Sequence, residues 1–367
     1  MKVLYDYEIF FSQKYGGISR YFYEMYTRFL GPEFNMEVTI PIVFSQNYYL
    51  SNMVKIKKFL PHGNMLLNEL VTIGSILWNR IKGKEYDVIH PTYYCPHFLE
   101  KKWVKKGKSK VIVTVYDMIH EMYMSEEYEF IEQKHKMLHL ADGIIAISDC
   151  TKKDILKFCP DIREDKIKVI YLGNSMCTPG KNENYRIIKG KYILFVGERR
   201  GYKNFDIVLR ALKLLIKKYP EMHLLCAGGG ELRSEEYDRI TKLNLQGKVI
   251  QVTLDDTELF WAYKNAECFV FPSLYEGFGI PILEAFFCEC PVILSKRSCF
   301  PEIAEDAALY FDGYQDEDLY RKIDELLCRG NIRGIYVERG IKRLENFSWD
   351  KTAKQTKEFY EEIVKDG

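Results

Sequence analysis

Strand-like and helix-like segments alternate through this chain twice over, with a polar break between the two runs. That repeated alternation restricts the fold more than any other feature. In the first run, apolar stretches at residues 3–7, 37–43, 87–90, 110–116, 143–147 and 167–171 are each bounded by polar or turn residues and read as strands. Residues 18–30 and 149–158 carry helical spacing between them, and Ser148 is placed to cap the second. Residues 173–184, rich in Gly, Pro and Asn, suit a linker. The alternation then restarts with strands at 192–196, 222–227, 268–271 and 291–295, and a helix at 205–219 that Asn204 is placed to cap. Such alternation implies parallel sheets covered by helices on both faces. Two runs imply two doubly wound domains, each binding ligands beyond the C-terminal ends of its strands. The length of 367 residues suits two domains of ordinary size.

Composition removes several function classes. A formal net charge of +1 argues against a general nucleic-acid binder. The ten cysteines are scattered, and Cys288 and Cys290 are too close together for a zinc pair. Asp6 and Glu8 interrupt any apolar leader, and no uninterrupted apolar stretch reaches bilayer length, so a reduced, cytoplasmic protein is expected. Charge is uneven, however: residues 51–115 hold 12 Lys/Arg against 4 Asp/Glu, densest at 101–110. That segment reads either as a solvated loop or as a patch for anionic lipid headgroups, a peripheral membrane contact. The apolar helix-like segment at 65–81 beside it suits core, or an interfacial helix. No Gly-x-Gly-x-x-Gly follows the first strand and no P-loop occurs anywhere.

Chemistry concentrates at residues 271–285, FPSLYEGFGIPILEA. Glu276 and Glu284 stand eight positions apart with Gly277-Phe278-Gly279 between them. The pattern predicts a strand end, a turn and a helix start, with backbone N–H groups open to a phosphate. Taken as a whole, the string resembles the sugar-nucleotide motif of the retaining glycosyltransferases of family 4, which have the GT-B architecture. The likeness extends along most of the chain, and is strongest over residues 192–311.

The resemblance implies a fold and a set of roles. The fold would be two Rossmann-like domains, residues 1–175 and 176–346, facing across a cleft, with a terminal helix at 347–367 crossing back to the first. Ser348 would start that helix. Glu284 would hold the ribose hydroxyls, Glu276 would contact the donor sugar, and Gly279 and Ile280 would offer amides to the phosphates. In Gly197-Glu198-Arg199-Arg200-Gly201-Tyr202-Lys203-Asn204, fixed cations end a strand. They would stabilise the charge that grows on a departing diphosphate. Arg199 and Lys203 are assigned to it, with Gly197 beside them. Leu254 lies in a loop resembling the one that holds the nucleobase through backbone atoms, and Asp256 is expected to cap the following helix.

In the first run, Gly16 and Gly17 resemble the family's glycine pair. Many family members carry His-Asp where this chain has Tyr116-Asp117. Asp117 is therefore expected to orient hydroxyls, and His120 to supply the imidazole. The reading is a retaining transferase of a hexose from a nucleoside diphosphate sugar, GDP-mannose being one candidate. The acceptor is a glycan or lipid-linked glycan of surface polysaccharide assembly. No metal or cofactor is expected, since no Asp-x-Asp loop falls in a suitable place. Alternatives are an epimerase or phosphorylase on the same architecture, or a non-catalytic binder.

Overall fold

The computed structural model describes residues 1–41, 45–52, 86–94, 109–180 and 185–365, and isolated positions between 66 and 77. The expected interfacial segment at 65–81, for the most part, and the basic segment at 101–108 lie outside the described residues. The chain divides into two compact units, Met1–Leu172 with Trp349–Gly367, and Gly173–Ser348.

The first unit is built on a six-stranded parallel sheet. Its strands are β1 (Lys2–Tyr5), β2 (Glu37–Thr39), β3 (Val88–His90), β4 (Lys110–Val115), β5 (Gly143–Ala146) and β6 (Ile167–Val169), in the order β2-β1-β3-β4-β5-β6. Both faces are covered, which is why β5 is a continuous apolar run and β3, Val-Ile-His, is buried along its whole length. Between the strands lie α1 (Glu8–Ser12), α2 (Gly17–Phe29), α3 (Ile119–Tyr123), α4 (Tyr128–Leu140) and α5 (Asp149–Phe158). Ser148 caps α5 by accepting a hydrogen bond from the Thr151 amide. Burial of Tyr21, Phe22, Met25 and Phe29 holds α2 against the sheet. The last helix of the chain, Trp349–Lys365, belongs to this unit. Its Phe359 lies so close over Gly143 that a Cβ there would come within 2.8 Å of the ring. Its Tyr360 hydroxyl meets His90 Nδ1 at 2.5 Å.

The second sheet is also parallel and six-stranded. It comprises β7 (Tyr192–Val196), β8 (His223–Ala227), β9 (Val249–Val252), β10 (Cys268–Phe271), β11 (Val292–Ser295) and β12 (Ala308–Phe311), ordered β12-β11-β10-β7-β8-β9. The sequence patterns did not announce β9 and β12. Both are edge strands; β9, Val-Ile-Gln-Val, is only half-buried along its length, while β12 is a short apolar run, Ala-Leu-Tyr-Phe. The helices are α6 (Phe205–Lys218), α7 (Ser234–Lys242), α8 (Asp256–Lys264), α9 (Ile280–Phe287), α10 (Phe300–Ala304), α11 (Asp316–Cys328) and α12 (Gly330–Leu344), and the terminal helix at Trp349–Lys365 is α13. The apolar stripe of α6, including Phe205, Val208, Leu212 and Leu215, sits in one core with Phe195, Leu224 and Cys226 of the sheet. The cap of α8 is Asp255 and not Asp256: its carboxylate accepts from the Glu258 amide, and the Glu258 carboxylate accepts from the Asp255 amide.

Candidate functional site

Strand order decides where a ligand can enter the second unit. The chain lays β8 and β9 on one side of β7, then crosses to place β10 on the other. The connections after β7 and β10 therefore leave in opposite directions and open a crevice beyond their C-terminal ends. The sequence between β7 and α6 supplies Lys203, and the turn between β10 and α9 supplies Glu276. They meet there, Lys203 Nζ to Glu276 Oε1 at 2.6 Å, with side chains 20% and 11% exposed. Nζ also lies 5.2 Å from the Tyr202 ring centre and 5.9 Å from that of Phe271, which hold the ammonium in place.

Several bonds fix this pair. The Ser298 hydroxyl donates to the Glu276 carbonyl at 2.6 Å and accepts from its amide at 3.2 Å. Asn204, in left-handed conformation, sends its side-chain amide to the carbonyls of Pro272 and Gly313, at 3.3 and 2.7 Å. It ties the two turns together instead of capping α6 through its side chain, as the sequence suggested. Gly279 enters α9 at φ 91°, where a Cβ would also press on Ile282, Phe271 and Phe300 at 3.1–3.3 Å. The turn thus requires glycine. It delivers Ile280 as the first helical residue, whose amide has no acceptor within the helix. One turn on, buried Glu284 accepts from the Tyr263 hydroxyl at 3.2 Å. Burial, and then the Glu284 carboxylate, push the Tyr263 phenol well up, so it stays a donor.

Arg199 is not part of this pair. Its side chain is 1% exposed, and its guanidinium donates to the carbonyls of Gly228, Gly229, Gly230 and Glu231 and to Glu236 Oε1. A Cβ on Gly229 would stand 2.6 Å from the Gly197 carbonyl and 2.8 Å from Arg199 Nη1. The three glycines let the loop wrap the guanidinium, and Arg199 is a staple for the loop after β8. The structure thus commits most of the donors of Arg199, which the resemblance assigned to a diphosphate, to its own loop. Arg200 is the exposed neighbour, 4.0 Å from Glu198. Gly197, at φ 116°, and half-buried Leu254 line the ends of β7 and β9.

The first unit carries the other candidates. Its order β2-β1-β3 places a switch point between β1 and β3. Asp6, just past β1, accepts there from the Thr92 amide at 3.1 Å, from the Thr92 hydroxyl and from the Glu8 amide at 3.1 Å. Burial raises the Asp6 carboxyl to about 6, against these bonds. Asp117 follows β4 and accepts from the Ile119 amide at 3.0 Å. His120 lies 3.6 Å from Glu127 and stacks at 4.2 Å on Phe130, while its Nδ1 is buried without a hydrogen-bond partner. The nearby Tyr93 phenol is raised by burial and then by Asp117, Glu8 and Glu127. Gly16 and Gly17 start α2, where the Ser19 hydroxyl donates to the Gly16 carbonyl at 3.0 Å.

Family comparisons agree with the two-unit division of the sequence. Residues 181–343 match the model described as glycosyl transferases group 1, and residues 15–174 match glycosyltransferase family 4. This chain is a family 4 glycosyltransferase of the GT-B type. The O-antigen chain mannosyltransferase B of Escherichia coli is 28% identical over 292 residues, 74% of this chain and 73% of that one. The D-inositol 3-phosphate glycosyltransferase of Corynebacterium jeikeium is 26% identical, covering 79% of this chain and 76% of its own. Among solved structures, HepE of Anabaena with UDP and glucose superposes with a TM-score of 0.75 at 16% identity, over 98% of each chain. Sucrose-phosphate synthase of Thermosynechococcus elongatus gives 0.74 at 17% over all of both. These likenesses establish the fold that the sequence implied.

In this glycosyltransferase, sequence reasoning missed Ser298, Tyr263 and Glu236. Each orients a residue more than twenty positions away, or takes a bond from one, and no local motif marks it. Among the described residues, no helix is long and apolar enough to cross a membrane, and no group of three His, Cys, Asp or Glu side chains is placed to hold a metal ion.

Proposed function

We propose that this glycosyltransferase moves a hexose, with retention, from a nucleoside diphosphate sugar to a glycan or lipid-linked glycan of surface polysaccharide assembly. GDP-mannose is the first donor to try, because one relative is named an O-antigen chain mannosyltransferase, and HepE, solved with UDP-glucose, supports a nucleoside diphosphate sugar as the donor class. The observation that carries the reading is the Lys203–Glu276 pair at the switch point of the second sheet, with Glu284 and the Ile280 amide in the helix that follows. An anionic diphosphate entering the crevice draws Lys203 to itself and leaves Glu276 to accept from donor-sugar hydroxyls. Glu284, steadied by Tyr263, takes the ribose diol.

The bond from the sugar C1 to the phosphate oxygen breaks as the acceptor oxygen bonds to C1 on the same face. The acceptor proton passes to the departing phosphate oxygen. Lys203 and the first amides of α9 stabilise the charge that grows there, and no metal is assigned a step. Contact with a membrane face through the basic stretch of the first unit belongs to the same proposal.

A thermal-shift screen of nucleotide sugars tests this. A true donor at one hundred times its dissociation constant adds about 2.7 kcal/mol. If no nucleoside diphosphate sugar stabilises the protein, with or without EDTA, the proposal fails.

A further inference from the structure

We propose that Lys134 of the first unit is a positioning residue, which sets the segment carrying Asp117 and His120 for the transfer. The inference rests on those two residues serving the reaction read above. Lys134 lies in α4, and its side chain is fully buried. Lysine is almost never buried to that degree unless it is paired. Here Nζ donates to the Asp117 carbonyl at 2.7 Å and to Glu121 Oε2 at 3.0 Å. The Glu121 side chain is itself 2% exposed, and its other carboxylate oxygen meets His135 Nε2 at 3.2 Å. Nζ also stands 5.4 Å from the Tyr94 ring centre.

These contacts grip a short segment at both ends. Asp117 follows β4 and Glu121 lies within α3, so one ammonium spans the two, with His120 between them. The strand end is tied separately, by the Tyr116 amide donating to the Tyr94 hydroxyl at 3.2 Å. Inside the segment, Asp117 Oδ1 accepts from the Ile119 amide at 3.0 Å, which fixes the carboxylate against its own backbone. Phe130 stands one turn before Lys134 on α4, so the two side chains share a face of the helix. The His120 ring lies 4.2 Å from that of Phe130. One face of α4 therefore holds the segment through Lys134 at residues 117 and 121, and through Phe130 at residue 120.

Cohesion alone does not call for this lysine. Apolar side chains of similar volume in place of a buried ion pair are often neutral or stabilising. Met137 and Leu138 of the same helix are buried with no charge to desolvate. What an apolar residue at 134 lacks is a bond to the Asp117 carbonyl and to Glu121 at once. The pair thus contributes geometry. Misplacement of a reacting constellation by about 1 Å can cost about 100-fold in rate.

The test compares wild type with Lys134→Met, Glu121→Gln and Lys134→Met/Glu121→Leu. Either single variant leaves one buried charge without its partner and should unfold at lower urea than wild type. The double variant removes both charges, and its midpoint should return toward that of wild type. Activity is the release of GDP or UDP from GDP-mannose or UDP-glucose, measured at low temperature where each protein is folded. It should fall about 10- to 100-fold in Lys134→Met and in the double variant, and stay near wild type in Glu121→Gln, which keeps an oxygen for Nζ. His120 is followed independently by NMR with isotope-labelled histidine, its signal assigned by absence from His120→Gln. That signal should lose the ring-current shift from Phe130 in both proteins that lack Lys134. The proposal is overturned if activity returns with stability in the double variant, because Lys134 is then structural alone. It is also overturned if the His120 signal stays at its wild-type position without Lys134, or if Glu121→Gln loses as much activity as Lys134→Met. If wild type releases nucleotide from no nucleotide sugar, the transferase reading fails, while the His120 signal still decides whether Lys134 sets the segment.

Discussion

Arg199→Met separates two roles that the sequence had merged. The guanidinium is 1% exposed and bonded to four carbonyls and a carboxylate that is itself 2% exposed. Methionine fills much of the volume but returns none of these bonds. Glu236 keeps the Arg233 side chain at 3.0 Å and the Arg233 amide at 2.8 Å, so it is not stranded. The carbonyls of the glycine loop lose a shared donor. Removing one side of a buried, hydrogen-bonded charge typically costs about 3–5 kcal/mol. With a urea slope of about 2–3 kcal/mol per molar for a unit of this size, the midpoint for the second unit should fall by about 1–2 M. The assay is urea unfolding followed by far-UV circular dichroism, beside steady-state transfer kinetics at low temperature, where the variant remains folded. Lys203→Ala provides the contrast. Its side chain is 20% exposed, so water can stand in beside Glu276, and stability should change much less. Its kcat/KM should drop about 100- to 1,000-fold, as when one donor to a developing anion is lost. If Arg199→Met unfolds at the wild-type midpoint and loses activity as Lys203→Ala does, the staple is wrong and Arg199 belongs at the diphosphate.

Two further outcomes follow from the same geometry. Glu276→Gln should keep turnover within about 100-fold of wild type and give the same anomer by NMR, because the amide still bonds hydroxyls; a loss beyond about 10⁴-fold would indicate a covalent step on Glu276. His90 is buried between Tyr360 and Thr114, and burial lowers its pKa to about 3. The unfolded chain, with a pKa near 6.5, takes up the proton first, so the stability tied to neutral His90 is present above about 6.5 and is lost as pH falls toward 3. Relative to His90→Gln, wild type should lose about 1.4 kcal/mol per pH unit across that window in urea melts, with buried Asp6 sloping the other way between about 6 and 4 in both proteins. Equal slopes for wild type and variant would refute this.

Central strands with both faces buried were the clearest in the sequence, although the short edge strands β2 and β6 were read as well. Residues 192–196 and 268–271 are strands to the residue, because an apolar run between two helical layers leaves few alternatives. The edge strand β9 was not legible, since Gln251 interrupts its apolar run and the strand is only half-buried, and β12 was missed although its Ala-Leu-Tyr-Phe run is apolar. Ser148 was readable as a cap because capping is settled within four residues. Asn204 was misread for the opposite reason: its partners, Pro272 and Gly313, lie 68 and 109 positions away.

The sequence by itself determined the doubled α/β architecture, the family, and the loops in which chemistry must lie, because periodicity and turn residues act over a few positions. Glycine at 279 was likewise fixed locally, by the turn into α9. Only the tertiary structure decided which charged groups face which. Arg199 and Lys203 sit four positions apart in one loop, yet one is folded under glycine carbonyls and the other is set against Glu276, 73 positions on. A charge takes its role from its burial and its partners, and both are set by strand order across the sheet.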